Sequence, residues 1–134
     1  MSKSLQPSFS GEIRRYDQPN IIASNRQLAT IHGIKLAYNA SGFKAGEVLA
    51  LNSVSKCYDK YSAGGASGLD TAKAILLEDV LAEDFQSPTD VCSAAGCFGG
   101  EVYKSKLVGL DSDAITDLSA KTLVIGNDLE ILKF

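Results

Sequence analysis

The chain has no tryptophan, a single histidine, three prolines and three cysteines in 134 residues. One imidazole, His32, excludes a zinc site or acid–base pair built on two histidines. Cys57, Cys92 and Cys97 are odd in number and show no CxxC spacing, so they read as buried, reduced thiols rather than a disulfide framework. No apolar run approaches the roughly 18 residues of a membrane helix. The polar opening MSKSLQPSFSGEIRRYDQPN also lacks the apolar stretch of a secretory signal. The expectation is a chain that meets no membrane and is made in a reducing cytoplasm. Neither GGASG nor GCFGG is followed by Lys-Ser/Thr or fits the GxGxxG spacing, which leaves both glycine segments as turns rather than phosphate cradles.

What is present fits one globular domain. Hydrophobic residues at 45%, charged residues at 22% and a mean hydropathy of +0.02 lie outside the disordered regime, and the length is too short for two independent cores. A formal charge of −3 and a pI near 5.1 argue against a nucleic-acid binder, which needs a broad basic footprint. The charge is uneven. Residues 1–26 carry Lys3, Arg14, Arg15 and Arg26 against Glu12 and Asp17, a net +2 that leaves −5 on the rest. Arg14-Arg15 lacks interleaved aromatics, so it suits an acidic or polar protein edge better than a phosphate backbone.

Residues 1–26 read as an extended N-terminal arm and 27–134 as the body. Pro7, Gly11 and Pro19 interrupt any helix in the arm. Its apolar residues Leu5, Phe9, Ile13 and Tyr16 are spaced four, four and three. An extended chain places Leu5, Phe9 and Ile13 on one face, the pattern of a strand that completes another protein's sheet. A frayed terminus is the plainer alternative.

In the body, Gly33, Gly42 and Gly46 divide 31–51 into brief predicted strands, and Ser62–Gly68 reads as a surface loop. Ala72–Leu81 fits both a helical face and a strand buried on two sides. Val91–Ala95 reads as a strand, Gly96–Gly100 as a bend. Asp111-Ser112 caps the clearest predicted helix, with Ile115 and Leu118 facing inward. Leu123–Ile125, a Gly126-Asn127 turn and Leu129–Phe134 complete the chain as two strands. The fold class is α+β and β-rich: a small single-domain β-barrel or sandwich-like body with one or two short helices.

The residues give little purchase to catalysis. His32 beside one of the cysteines is the only nucleophile pair available. Asp111-Ser112-Asp113 fails as a calcium loop because Thr116 stands where glycine is needed. Glu78, Asp79, Glu83 and Asp84 read as a solvated acidic rim. The expectation is no enzyme, no metal and no cofactor.

The order of pieces is informative: Gly46-x-Val48-Leu49, Tyr61, a loop ending Gly68-x-Asp70, Ala72-x-Ala74-Ile75-Leu76, Asp79, then a strand at Val91–Ala95 and the Gly96 bend with Phe98. Over about residues 44–134 this resembles the lambda-type head decoration proteins of tailed bacteriophages. The resemblance implies a homotrimer on the outer surface of the virion, capping local three-fold positions and stabilising the head against packaged DNA. Its partners would be itself and the major capsid protein, with no direct contact to nucleic acid. It further implies that the arm, through Leu5, Phe9, Ile13, Arg14, Arg15 and Tyr16, adds a strand to the capsid protein. Gly46, Val48, Leu49, Ala74, Ile75, Leu76, Asp79 and Gly96 would form the family core. Under it Ala72–Leu81 becomes a strand and Gly100–Leu107 a short helix. Cys57, Cys92, Cys97 and the long tail Asn127–Phe134 depart from the pattern. The competing expectation is a small β-barrel that binds a protein or ligand unrelated to capsids.

Overall fold

The computed structural model describes residues 21–125 and 129–134. The arm residues Leu5, Phe9, Ile13, Arg14, Arg15 and Tyr16 and the Gly126-Asn127 turn lie outside this range. Seven strands are described: β1 (Ile22–Ala37), β2 (Val48–Leu51), β3 (Tyr58–Lys60), β4 (Ala72–Leu76), β5 (Val91–Tyr103), β6 (Lys121–Ile125) and β7 (Leu129–Lys133). Five of them close a barrel in the order β1-β3-β2-β4-β5, and β1 returns to pair with β5. The neighbours are antiparallel except β1 and β3, which meet in parallel at Leu36↔Tyr58. The closing ladder is long, from Ile22↔Val102 to Ala37↔Val91. Beyond β4, β5 pairs with β7 over Glu101↔Lys133 to Tyr103↔Ile131, and β6 lies outside β7. The β-rich α+β body is therefore a closed barrel with a two-strand extension.

Burial explains why Ala72–Leu76 is a strand. Apart from the exposed Lys73, β2 and β4 are apolar on both faces because both faces are covered. Leu49, Ala74 and Leu76 point to an interior shared with Ile34, Leu36, Phe43 and Phe85. Val48, Ala50 and Ala72 point the other way, onto Tyr61 and Ala114. Full burial of such side chains is worth about 1.5–3 kcal/mol each for the larger ones. Ala114 belongs to the α-helix among the described residues, α1 (Ser112–Asp117). Asp111 caps it as expected, accepting the Ala114 N–H at 2.8 Å. Its other end closes with Ala120 N–H on Ile115 O (2.9 Å) and Ser119 N–H on Thr116 O (3.0 Å), with Ser119 at φ +54°. Ile115 and Leu118 pack inward.

Several expectations are corrected. Gly33 does not end a strand: β1 runs through it, with a register shift between His32 and Ile34 where Gly33 takes φ +91°. Gly96 is no bend either. It lies within β5, paired to Ile31 on one side and Leu76 on the other, and Gly96–Gly100 continue the strand. A side chain at Gly96 would press on Ile34 and Phe98, and one at Gly100 on Leu28, so these glycines permit close packing rather than reversal. Instead of a helix over 100–107 the chain makes one 3-10 turn, Lys104–Lys106. β1 begins at Ile22, ahead of the expected start of the body at residue 27. No helix among the described residues is long and apolar enough to cross a membrane.

Candidate assembly surface

The residues that carry the family resemblance meet in one seam. Val48 pairs with Ile75 and Leu49 with Ala74, while Leu76 pairs with Gly96. Gly46 donates its N–H to Leu76 O at 2.7 Å and accepts from Val108 N–H at 2.9 Å. It takes φ +94°, and a Cβ there would overlap the Lys106 carbonyl, so this close backbone crossing requires glycine. Asp79 Oδ1 accepts the Ala45 N–H at 2.8 Å, holding the chain just before Gly46. Seven of the eight positions are buried and build the interior and its margin, and Asp79 is exposed beside them.

The acidic cluster is a solvated rim, with Asp79, Glu83 and Asp84 exposed and Glu78 half-buried, and three of its carboxylates also hold the backbone. Glu78 Oε2 accepts the Ala95 N–H (2.7 Å) and Asp84 Oδ2 the Leu81 N–H (2.8 Å), in addition to the Asp79 bond. Carboxylates here satisfy backbone donors at strand margins. Asp117 does the same for Ala72 N–H at 3.0 Å. The Tyr61 hydroxyl donates to Asp111 Oδ1 at 2.9 Å, and burial together with that carboxylate pushes the Tyr61 phenol up to about 12. Glu47, 9% exposed, accepts the Lys44 N–H at 3.1 Å and faces Lys60 Nζ at 4.0 Å, while Lys60 also lies over the Phe43 ring.

The three cysteines stand as thiols in separate surroundings. Cys97 is fully buried, its Sγ donates to Gly99 O at 3.3 Å, and burial raises its pKa. Cys92 is half-buried on β5, and Cys57 is buried beside Ser55. His32 is exposed on β1 opposite Ala95.

Two surface features bear on assembly. The first described residue, Ile21, is 3% exposed and its carbonyl accepts the Tyr103 N–H at 2.8 Å. Ile21 is thereby held at the end of β5, at Tyr103, which also pairs with Ile131 of β7. The β7–β6 extension is the second feature. Leu132 and Ile131 of β7 are buried, but Leu123, Val124 and Leu129 are 38%, 65% and 43% exposed. Sequence reading placed these strands and missed their exposure; the available signal was the run Leu123-Val124-Ile125, apolar on both faces. Comparison of the chain with protein-family models, with curated proteins and with solved structures finds no match in any of the three.

Proposed function

We propose that this chain is a capsid decoration protein of the lambda type, a homotrimer that cements local three-fold positions of a phage head. The observation that supports this most is the seam: the short motifs behind the resemblance, separated by up to fifty residues in sequence, are hydrogen-bonded neighbours across β2, β4 and β5. The place of Ile21 supports it too, since it sits beside Tyr103 at one end of a barrel whose ring closes among the described residues.

The physics of the proposed task is avidity. Ordering an arm on another protein's sheet edge costs about 2–5 kcal/mol of the gross interaction, so a single arm binds modestly. Three arms on one trimer raise overall binding by about 10² to 10⁴, because the second and third dock at high effective concentration. Residues 1–20 carry Lys3, Arg14 and Arg15 against Glu12 and Asp17, a net +1 that leaves −4 on the body: the body gains nothing from packaged DNA, and the arm is drawn to an acidic shell.

The test is deletion of residues 1–20, which leaves Ile21 and β1 in place. The truncated chain should fold and self-associate as the full chain does, yet fail to co-sediment with purified expanded heads. Retained co-sedimentation removes the arm from the mechanism. A full chain that is monomeric and ignores heads favours the unrelated β-barrel binding module instead.

A further inference from the structure

The barrel consists of two parts that meet along two joints. One part is the antiparallel sheet β3-β2-β4, and the other is the ribbon of β1 and β5. The joints differ in kind. At β4–β5, Ile75 pairs with Cys97 and Leu76 with Gly96, the Leu77 N–H donates to Ala95 O at 3.0 Å, and Glu78 accepts the Ala95 N–H at 2.7 Å. That joint is backed from outside, where Ile75, Leu77, Cys97, Val102 and Leu132 form a buried cluster. At β1–β3 the ring closes through one residue pair, Leu36↔Tyr58, and the pairing is parallel. Parallel pairs are the weaker kind per residue. On the outer face of this joint Lys35 is exposed, and Ala37 and Asp59 are only half-buried.

Side chains do at β1–β3 what a ladder does elsewhere. The chain leaving β1 reaches over to β3: Asn39 Nδ2 donates to Asp59 Oδ1 at 3.4 Å, and Lys60 Nζ donates to Ser41 Oγ at 2.9 Å. Asn39 and Ser41 are tied to each other, since Asn39 Oδ1 accepts the Ser41 N–H at 3.0 Å and the Ser41 hydroxyl at 2.7 Å. Lys60 also faces Glu47 Oε2 at 4.0 Å and lies over the Phe43 ring. Beneath them Leu36 is fully buried, and Tyr58 meets Phe98 edge-on with ring centres 5.8 Å apart. Ser41 is exposed and Asn39, Asp59 and Lys60 are half-buried, so water competes for each of these bonds.

We infer that the β1–β3 joint is a latch: the β1–β5 ribbon separates from β3 there, about the β4–β5 joint, before the barrel unfolds as a whole. Opening breaks one residue pair and the Asn39–Asp59 and Ser41–Lys60 bonds, and it brings Leu36 and Tyr58 to water. The β1–β5, β2–β3 and β2–β4 ladders stay intact. Opening therefore costs less than global unfolding, the condition for a separate local transition. The ribbon holds Ile21 through Tyr103 and β7 through Glu101–Tyr103, so the latch governs how far that half of the molecule moves against β3-β2-β4. It holds whether or not the chain binds a phage head.

Hydrogen exchange of the full chain in sub-denaturing urea, read residue by residue by NMR, tests the latch. The amides of residues 35–37 and 57–59 that bond across the joint should exchange through an opening with little urea dependence, while amides of β4 exchange only on global unfolding. Asn39→Asp sets a carboxylate against Asp59 but keeps the acceptor Ser41 uses. It should speed exchange across the joint about 2- to 10-fold, the range of one lost hydrogen bond, and Asn39→Asp with Asp59→Asn should restore the wild-type rate. Ile75→Val weakens a contact that survives opening, so it should speed the β4 amides about 2- to 10-fold and leave the cross-joint amides unchanged. The latch is overturned if the cross-joint amides share the urea dependence of β4, if Ile75→Val speeds both alike, or if Asn39→Asp leaves the joint unchanged or the double variant fails to restore it. Exchange of the β2–β3 amides in the same opening would mean that β3 frays as a whole, and would overturn it equally.

Discussion

One carboxylate oxygen of Asp111 accepts both the Tyr61 hydroxyl at 2.9 Å and the Ala114 N–H at 2.8 Å. A residue on β3's flank and the first turn of α1, fifty positions apart, are thereby fastened over the outer face of β2 and β4. Asp111→Ala removes a helix cap and leaves a buried hydroxyl unmatched. Its expected cost is about 1–3 kcal/mol in chemical denaturation, against about 1 kcal/mol for Tyr61→Phe.

The same pair sets a pH dependence. The Tyr61 phenol ionises near 12 in the folded chain and near 10 unfolded, so between these values the unfolded state loses its proton first. Stability from this group is complete below about pH 10 and is lost as pH climbs through about 12. Denaturation midpoints measured over that window should fall with pH more steeply for the wild type than for Tyr61→Phe.

Gly46 and Gly33 both take positive φ, yet they should respond differently to alanine. At Gly33 nothing lies within 4 Å of a new Cβ, and the cost is conformational, about 1–2 kcal/mol. At Gly46 the Cβ meets the Lys106 carbonyl and breaks the bonds to Leu76 and Val108, so Gly46→Ala should lose more than about 3 kcal/mol or fail to fold. Thermal unfolding of the two variants side by side measures the difference.

Thiol labelling should separate the cysteines. Cys97 is wholly enclosed with a raised pKa, so a water-soluble alkylating reagent should reach it only on unfolding. Cys92, half-buried on β5, should react first in the native protein. Mass spectrometry of peptides after timed labelling gives the order.

Local chemistry was readable wherever one segment settles its own structure. The Asp111 cap, the Ser62–Gly68 loop and the strands flanking Gly126-Asn127 are of that kind. Glycine misled where its reason is tertiary: Gly96 and Gly100 sit in β5 where Ile34 and Leu28 of β1 press close, and Gly33 takes the positive φ of a register shift in the same ladder, which joins residues 22–37 to 91–103. Nothing local foretells that pairing. Glu78, Asp79, Glu83 and Asp84 were legible as a charged rim, but the backbone partners of Glu78, Asp79 and Asp84, namely Ala95, Ala45 and Leu81, become visible only in the fold. The exposure of Leu123 and Val124 was hidden for the converse reason, since an apolar run in sequence carries no sign of whether its chain covers it.

Electron cryo-microscopy of a phage head decorated with the full chain tests the central claim most directly. The account predicts a protrusion of three copies at each local three-fold position, with the chain preceding Ile21 continuing as an added strand on a sheet of the shell protein. Bare three-fold positions, or an arm that points away from the shell, would contradict it.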